Sequence, residues 1–264
     1  TLFRSDSVVF GIKSDLGTIV IHADEHIEVY AKKGACIVAE KGGVYLEGQV
    51  IRLENEGQGK DGNGREHGVY AGNGVYITAT GTNNVRIIGG TYGIQSAEEV
   101  RLNGNFTIYS YRAAIYAKSF IGMEGYFDLA STLRLDEDEL LEDNVYVVEA
   151  DYGNIKMTGS ILRVVGETGI GTKGDIIIDC EEIDVNATLN TAIVTNTASG
   201  NVTLTANKMR ITATRERYKN SYNPDLPAAY ENQWKYGSVV SGNGVTISSQ
   251  DAVISWACKP WSKD

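Results

Sequence analysis

A parallel β-helix, an all-β solenoid of about eight three-strand coils broken by three loop insertions, is the fold this sequence predicts. Three observations predict it. Apolar residues alternate in pairs, the pairs recur in a three-part phrase, and proline is kept out of the phrases.

The pairs are clearest in residues 17–48, "GTIVIHADEHIEVYAKKGACIVAEKGGVYLEG". Ile19/Ile21, Ile27/Val29, Ile37 with Cys36 or Val38, and Val44/Leu46 follow one another, and Ile51/Leu53 comes next. Each is an i, i+2 pair, the period of a strand with one buried face. Successive pairs begin about eight residues apart, too close for helix–loop repeats.

Farther along, the phrase becomes a three-strand unit. "GIQSAEEVRLNGNFTIYS", "AIYAKSFIGMEGYFDLAS", "GIGTKGDIIIDCEEIDVNAT" and "AIVTNTASGNVTLTANKMRITA" each open on Gly or Ala followed by Ile, at Ile94, Ile115, Ile170 and Ile193. Two alternating pairs then follow, as in Val100/Leu102 and Phe106/Ile108, or Ile176/Ile178 and Ile183/Val185. Partial copies begin at Gly68, Val147 and Gly237. One phrase makes one coil of roughly 21–25 residues, and a lone coil cannot bury its inner face. Stacking at about 4.8 Å per coil joins these faces into one core, with the four isoleucines in register along one inner edge. An immunoglobulin-like sandwich also has short strands, but it needs hairpin turns. Here Asp61-Gly62 and Asn73-Gly74 are the main candidates.

The chain has 30 glycines and 3 prolines, and Pro224, Pro227 and Pro260 all fall outside the phrases. Proline cannot donate to a strand ladder, so stacked internal strands exclude it. Residues 1–264 therefore read as a single solenoid, with insertions at 57–67, 133–145 and 215–236. A C-terminal cap is expected at 256–264, where Pro260 ends the ladder and Trp256 and Trp261 cover the last coil.

Composition narrows the function classes. A net charge of −10 without clustered Lys and Arg speaks against nucleic-acid binding. No apolar run is long enough for a membrane span. No secretory signal stands at the start; the chain opens on Thr1, which reads as a processed product or an excised segment. Cys36, Cys180 and Cys258 are odd in number and far apart, which argues for reduced thiols and a reducing place of assembly.

Function is usually carried by what interrupts a rigid frame. Residues 57–67, "GQGKDGNGREH", could form an anion-binding nest but match neither a P-loop nor an EF-hand, and read as a flexible loop. Residues 133–145 gather Asp136, Glu137, Asp138, Glu139, Glu142 and Asp143. Asp136, Asp138, Glu142 and Asp143 are candidate Ca²⁺ ligands. With Leu135, Leu140 and Leu141, the same stretch reads as an amphipathic turn laid on the solenoid. Residues 215–236 concentrate Tyr218, Tyr222, Tyr230, Trp234 and Tyr236. Aromatics with a polar handle suit a contact surface for a partner protein or a glycan, or a cover for the solenoid flank.

Catalytic signals are sparse. His22 and His26 have a spacing that converges on a helix but not on a strand, and His67 stands alone. Outward strand positions are mixtures such as Arg101, Thr107, Lys156, Thr203 and Thr205. The paired-Asp and Gly-His-Gly signatures of polygalacturonases and the Arg-rich signature of pectate lyases are missing. Glu149, Asp151 and Lys156, in one coil, come nearest to an acid–base group. The reading leans away from an enzyme.

The opening stretch "IVIHADEHIEVYAKKGACIVAEKGGVYLEG" resembles the β-helical segments of cell-puncturing spikes from contractile phage tails and related secretion spikes. The matching positions are Ile19, Ile21, Ile27, Val29, Gly34, Gly43, Val44, Leu46 and Gly48. The resemblance covers about the first fifth of the chain; the later coils look more like a single-chain tail-spike or baseplate β-helix. It implies a structural role in a virion, contacts with other virion proteins, and a homotrimer as one assembly. The leading expectation is thus a non-catalytic structural β-helix of a virion tail. An extracellular or cell-surface polysaccharide-binding β-helix or adhesin is the alternative, and a polysaccharide lyase or hydrolase comes third.

Overall fold

The computed structural model of the chain describes residues 2–7, 9–56, 66–81, 85–132, 146–188, 191–216 and 237–259. Every regular element among them is a strand, and every strand pair is parallel. The strands form two sheets wound by one chain, which is a parallel β-helix. In each regular coil a short strand such as Ile170–Thr172 leads through a turn into a long strand such as Ile176–Ala187. Among the described residues the short sheet has nine strands, one to each coil, in keeping with the expected eight or so. Three limbs per coil are present as the phrases predict, but two of them are one continuous strand bent at a corner. The opening octads are limbs of these same coils: Ile19 and Ile27 lie on one strand, Ile19–Ala31, in register with Val44 and Ile51 on the next.

The inner-edge isoleucines stack as their spacing predicts. Ile94 pairs with Ile115, Ile115 with Val148, Val148 with Ile170 and Ile170 with Ile193, all fully buried. Val148 supplies the rung between Ile115 and Ile170, in the coil interrupted by residues 133–145. On the second limb, Val85, Phe106, Phe127, Leu162, Ile183 and Met209 form the matching column. The Phe106 and Phe127 rings stack at 5.2 Å, so like sits on like in the core as well as in the ladder. Cys36 and Cys180 are free and buried, and burial pushes both thiols up to about 12, leaving them as small apolar fillers.

The corner between the two limbs is a glycine column. Gly104, Gly125 and Gly159 stand in register with φ of 125°, 128° and 147°. A Cβ on Gly125 would lie 2.0 Å from the Gly104 carbonyl oxygen of the rung below. From Gly159 onward the corner gains one residue, first Ser160, and the register with the preceding rung shifts there. Cys180 and Ala206 can then take the glycine's place.

Turns are held by ladders of their own. Asn154 Oδ1 accepts the Asp175 N–H at 2.8 Å, Asp175 Oδ1 accepts the Asn201 N–H at 2.8 Å, and Asn243 Nδ2 donates to Asn201 Oδ1 at 3.0 Å. Outside the second limb, Arg4, Glu28 and Arg52 follow one another rung by rung, and beyond Thr107 come Asp128, Arg163, Asp184 and Arg210. Opposite charges face across most of these steps, the exception being Arg52 opposite Arg86. Each exposed pair contributes little alone, but a slipped register would bring like charges together.

Of the cap expected at 256–264, only residues 256–259 lie among the described residues. Trp256 belongs to the last strand, Gly244–Lys259, opposite Ala213, and is 47 % exposed. The ladder runs past residue 256 to Lys259; Pro260 and Trp261 lie outside the described residues.

Two substitutions test this frame. Ile115→Asp puts an unpaired carboxylate in a dry column and should abolish the cooperative thermal transition; a parent-like melt would refute the inner-face assignment. Gly125→Ala forces a Cβ into the corner and should lower stability by about 1–3 kcal/mol or more in denaturant titration.

Candidate binding surface

Side chains of the first limb of the long strands point outward in columns along the rod. Tyr45, Tyr76, Arg101, Gly122, Lys156, Ile177, Thr203 and Thr246 make one column, rung after rung. Its first half is paved by flat groups. The Tyr45 and Tyr76 rings stack at 4.5 Å and 5°, and Tyr76 folds back over Gly74, where a Cβ would sit 2.6 Å from the ring. On the next rung Glu99 takes two hydrogen bonds on Oε2, from Arg101 Nε at 3.0 Å and Nη2 at 2.8 Å. Tyr76 Oη donates to Glu99 Oε1 at 2.5 Å. The Arg101 guanidinium in turn lies 4.9 Å from the Phe120 ring centroid.

These contacts tune the groups that make them. The hydrogen bonds from Arg101 and then Tyr76 hold the Glu99 carboxyl below the usual range. The hydrogen bond to Glu99, with burial second, pushes the Tyr76 phenol up to about 12. Glu99 is therefore a fixed anion and Tyr76 a fixed donor at neutral pH.

The neighbouring column toward the corner is different. Thr78, Asn103 and Glu124 are followed in register by Thr158, Asp179, Thr205 and Ser248. Two shallow cavities lie along it and share Thr158. One, of about 430 Å³, is flanked by Tyr76, Arg101, Phe120 and Lys156; the other, of about 560 Å³, by Cys180, Glu181, Asn207 and Gln250. Together they form a trough parallel to the rod axis.

The short sheet carries a second aromatic run. His67 lies buried between the Tyr70 and Tyr92 rings, at 5.5 and 5.6 Å. Tyr116, 5.9 Å from Tyr92, donates from Oη to Asp151 Oδ2 at 2.7 Å. Burial first, and this bond second, push the Tyr116 phenol up. The Tyr146 ring lies across Gly171, and its Oη accepts from Asn196 Nδ2 at 3.1 Å.

The acid–base group suggested by the sequence is not assembled. Glu149 sits on the short sheet beside Tyr116, Asp151 is bound to Tyr116, and Lys156 lies on the long sheet at the trough. His22 contacts Asp24 and Glu47 at 3.6 and 3.3 Å, while His26 lies beyond an irregularity in the strand. Among the described residues no three His, Cys, Asp or Glu side chains gather as for a metal. Tyr218, Tyr222, Tyr230, Trp234 and Tyr236, and Asp136, Asp138, Glu142 and Asp143, lie outside the described residues. The stacked Tyr45, Tyr76, Arg101 and Phe120 were missed by sequence reasoning. The signal for the two tyrosines was the Gly-Val-Tyr shared by "GGVYLEG" and "GNGVYITAT".

The cluster has a pH signature. The folded pKa of Glu99 is below its unfolded value, so its contribution is present above the ordinary carboxylate range and lost as pH falls through the lowered value. That of Tyr76 is raised, so its contribution is present below about 10 and lost as pH rises toward about 12. A spectrophotometric difference titration against Tyr76→Phe should show one late-ionising phenol, moved earlier by Glu99→Gln. A phenol that titrates identically in both backgrounds would contradict the pairing.

The chain matches no protein-family model, no curated protein and no solved structure.

Proposed function

We propose that this chain is a non-catalytic structural β-helix, a stiff rod of the tail-spike or baseplate kind that positions and contacts partner proteins of a virion. The observation that carries this reading is the continuous parallel ladder of the long sheet from Leu2–Ser7 to Gly244–Lys259, in which the register shifts at corners without the pairing being lost. A ladder continuous along the axis, over a core filled by side chains, transmits load without a hinge. The dispersal of Glu149, Asp151 and Lys156 supports the non-catalytic part. Other virion proteins are the proposed partners, and a homotrimer is the assembly that the opening repeat suggests.

A second reading, an extracellular glycan-binding β-helix or adhesin, is favoured by the lateral trough. Two outcomes separate these readings from an enzyme. A structural component should co-purify with particle proteins in crosslinking and mass spectrometry and leave polysaccharides intact. A chain that depolymerises a glycan, with activity lost in Glu149→Gln or Asp151→Asn, would overturn it.

Replacing Tyr222 and Trp234 by Ala should abolish partner capture with little change in melting temperature if residues 215–236 form the contact. A large drop in melting temperature with capture unchanged would assign them to covering the flank.

A further inference from the structure

From the trough on the first-limb face we infer a binding site for an extended, neutral, linear oligosaccharide lying parallel to the rod axis. The inference rests on the glycan-binding reading and deepens it by naming the class of glycan, and it does not depend on where the rod resides.

The floor is the column Asn103, Glu124, Thr158, Asp179, Thr205 and Ser248. Among the described residues these side chains make no hydrogen bond or ion pair to one another or to a neighbour. The contrast with the two other first-limb columns is sharp. At the turn, Asn154, Asp175 and Asn201 spend their capacity on each other, and Glu99 and Arg101 do the same beside Tyr76. Among the described residues the floor presents unused donors and acceptors on each of its rungs, repeated at about 4.8 Å.

That repeat selects the ligand. An extended β-linked pyranose chain advances by about one rung spacing, roughly 5 Å, per sugar, so each unit meets one rung of the floor. A peptide strand advances by about 3.3 Å per residue and falls out of step. Tyr76 and Phe120 supply an apolar flank for the C–H faces of sugars, and hydroxyls meet the floor. Charge selects against acidic glycans. Glu124 and Asp179 lie on the floor and Glu181 on the rim, Glu99 already neutralises Arg101, and Lys156 is the remaining cation along the trough.

The test is calorimetric titration of the full chain with neutral β-linked gluco-, manno- and N-acetylglucosamine oligosaccharides, from disaccharide to octasaccharide, with polygalacturonate as the acidic comparison. At least one neutral series should bind, with affinity rising with length and levelling at about five sugars, the number of rung intervals from Asn103 to Ser248. The double variant Asn103→Ala/Thr158→Ala, at one exposed and one half-buried position, should weaken binding about tenfold by removing two hydrogen-bonding side chains, with an unchanged melt. No binding in any neutral series, or a preference for polygalacturonate, would overturn the inference. So would binding that is unchanged in the double variant, or lost instead in Tyr222→Ala/Trp234→Ala.

Discussion

Each rung of this molecule is hydrogen-bonded in parallel to the rung before it, with the register shifting only at corners, and almost every other feature follows from that repeat. A strand inside a parallel stack has both edges engaged, so it has no place for proline and no tolerance for a slip that would turn its apolar face outward. The repeat also sets what side chains can do. At about 4.8 Å a residue meets its own counterpart above and below, so a column is stable when like groups attract or nest. Isoleucine on isoleucine, phenylalanine on phenylalanine, tyrosine on tyrosine and asparagine on aspartate all satisfy this rule. Charges do not, and beyond Thr107 the second limb answers by alternating Asp128, Arg163, Asp184 and Arg210.

The corner shows how strict the repeat is. Gly104 and Gly125 turn the strand with left-handed φ in a tight corner, and Gly125 leaves no room for a Cβ against the rung below. One inserted residue at Ser160 relaxes that geometry, and from there the column accepts cysteine and alanine. The coil can therefore lengthen at a corner without disturbing the inner columns, because the limbs on either side each keep their own alternation.

How much of this was legible in the sequence depends on which way a side chain points. Inward positions are apolar and alternate, so Ile94, Ile115, Ile170 and Ile193 could be read as one column and do form one. Even the coil interrupted at residues 133–145 keeps its phase, through Val148. Outward positions carry no such constraint. Tyr76, Glu99, Arg101 and Phe120 are spread over three coils and look like unrelated surface residues until the register aligns them. The same register separates Lys156 from Glu149 and Asp151, which sequence distance alone had grouped. Proximity along the chain is a poor guide in a solenoid, since a few residues carry the chain around a corner to another face.

A rod with repeating columns has many surfaces but few with binding capacity left over. On the second limb, charge faces charge; at the turn, amides and carboxylates close on one another; on the short sheet, Tyr116 and Tyr146 are already bonded and His67 is buried between rings. Each of these columns stabilises the stack by consuming its own polar groups. The trough floor contributes nothing of that kind, although it has the same repeat and lies beside columns that do. Polar side chains that do not serve the fold remain available to a ligand. A polymer with the rung spacing as its own repeat engages them without rearrangement, which keeps the ordering cost on the protein side small.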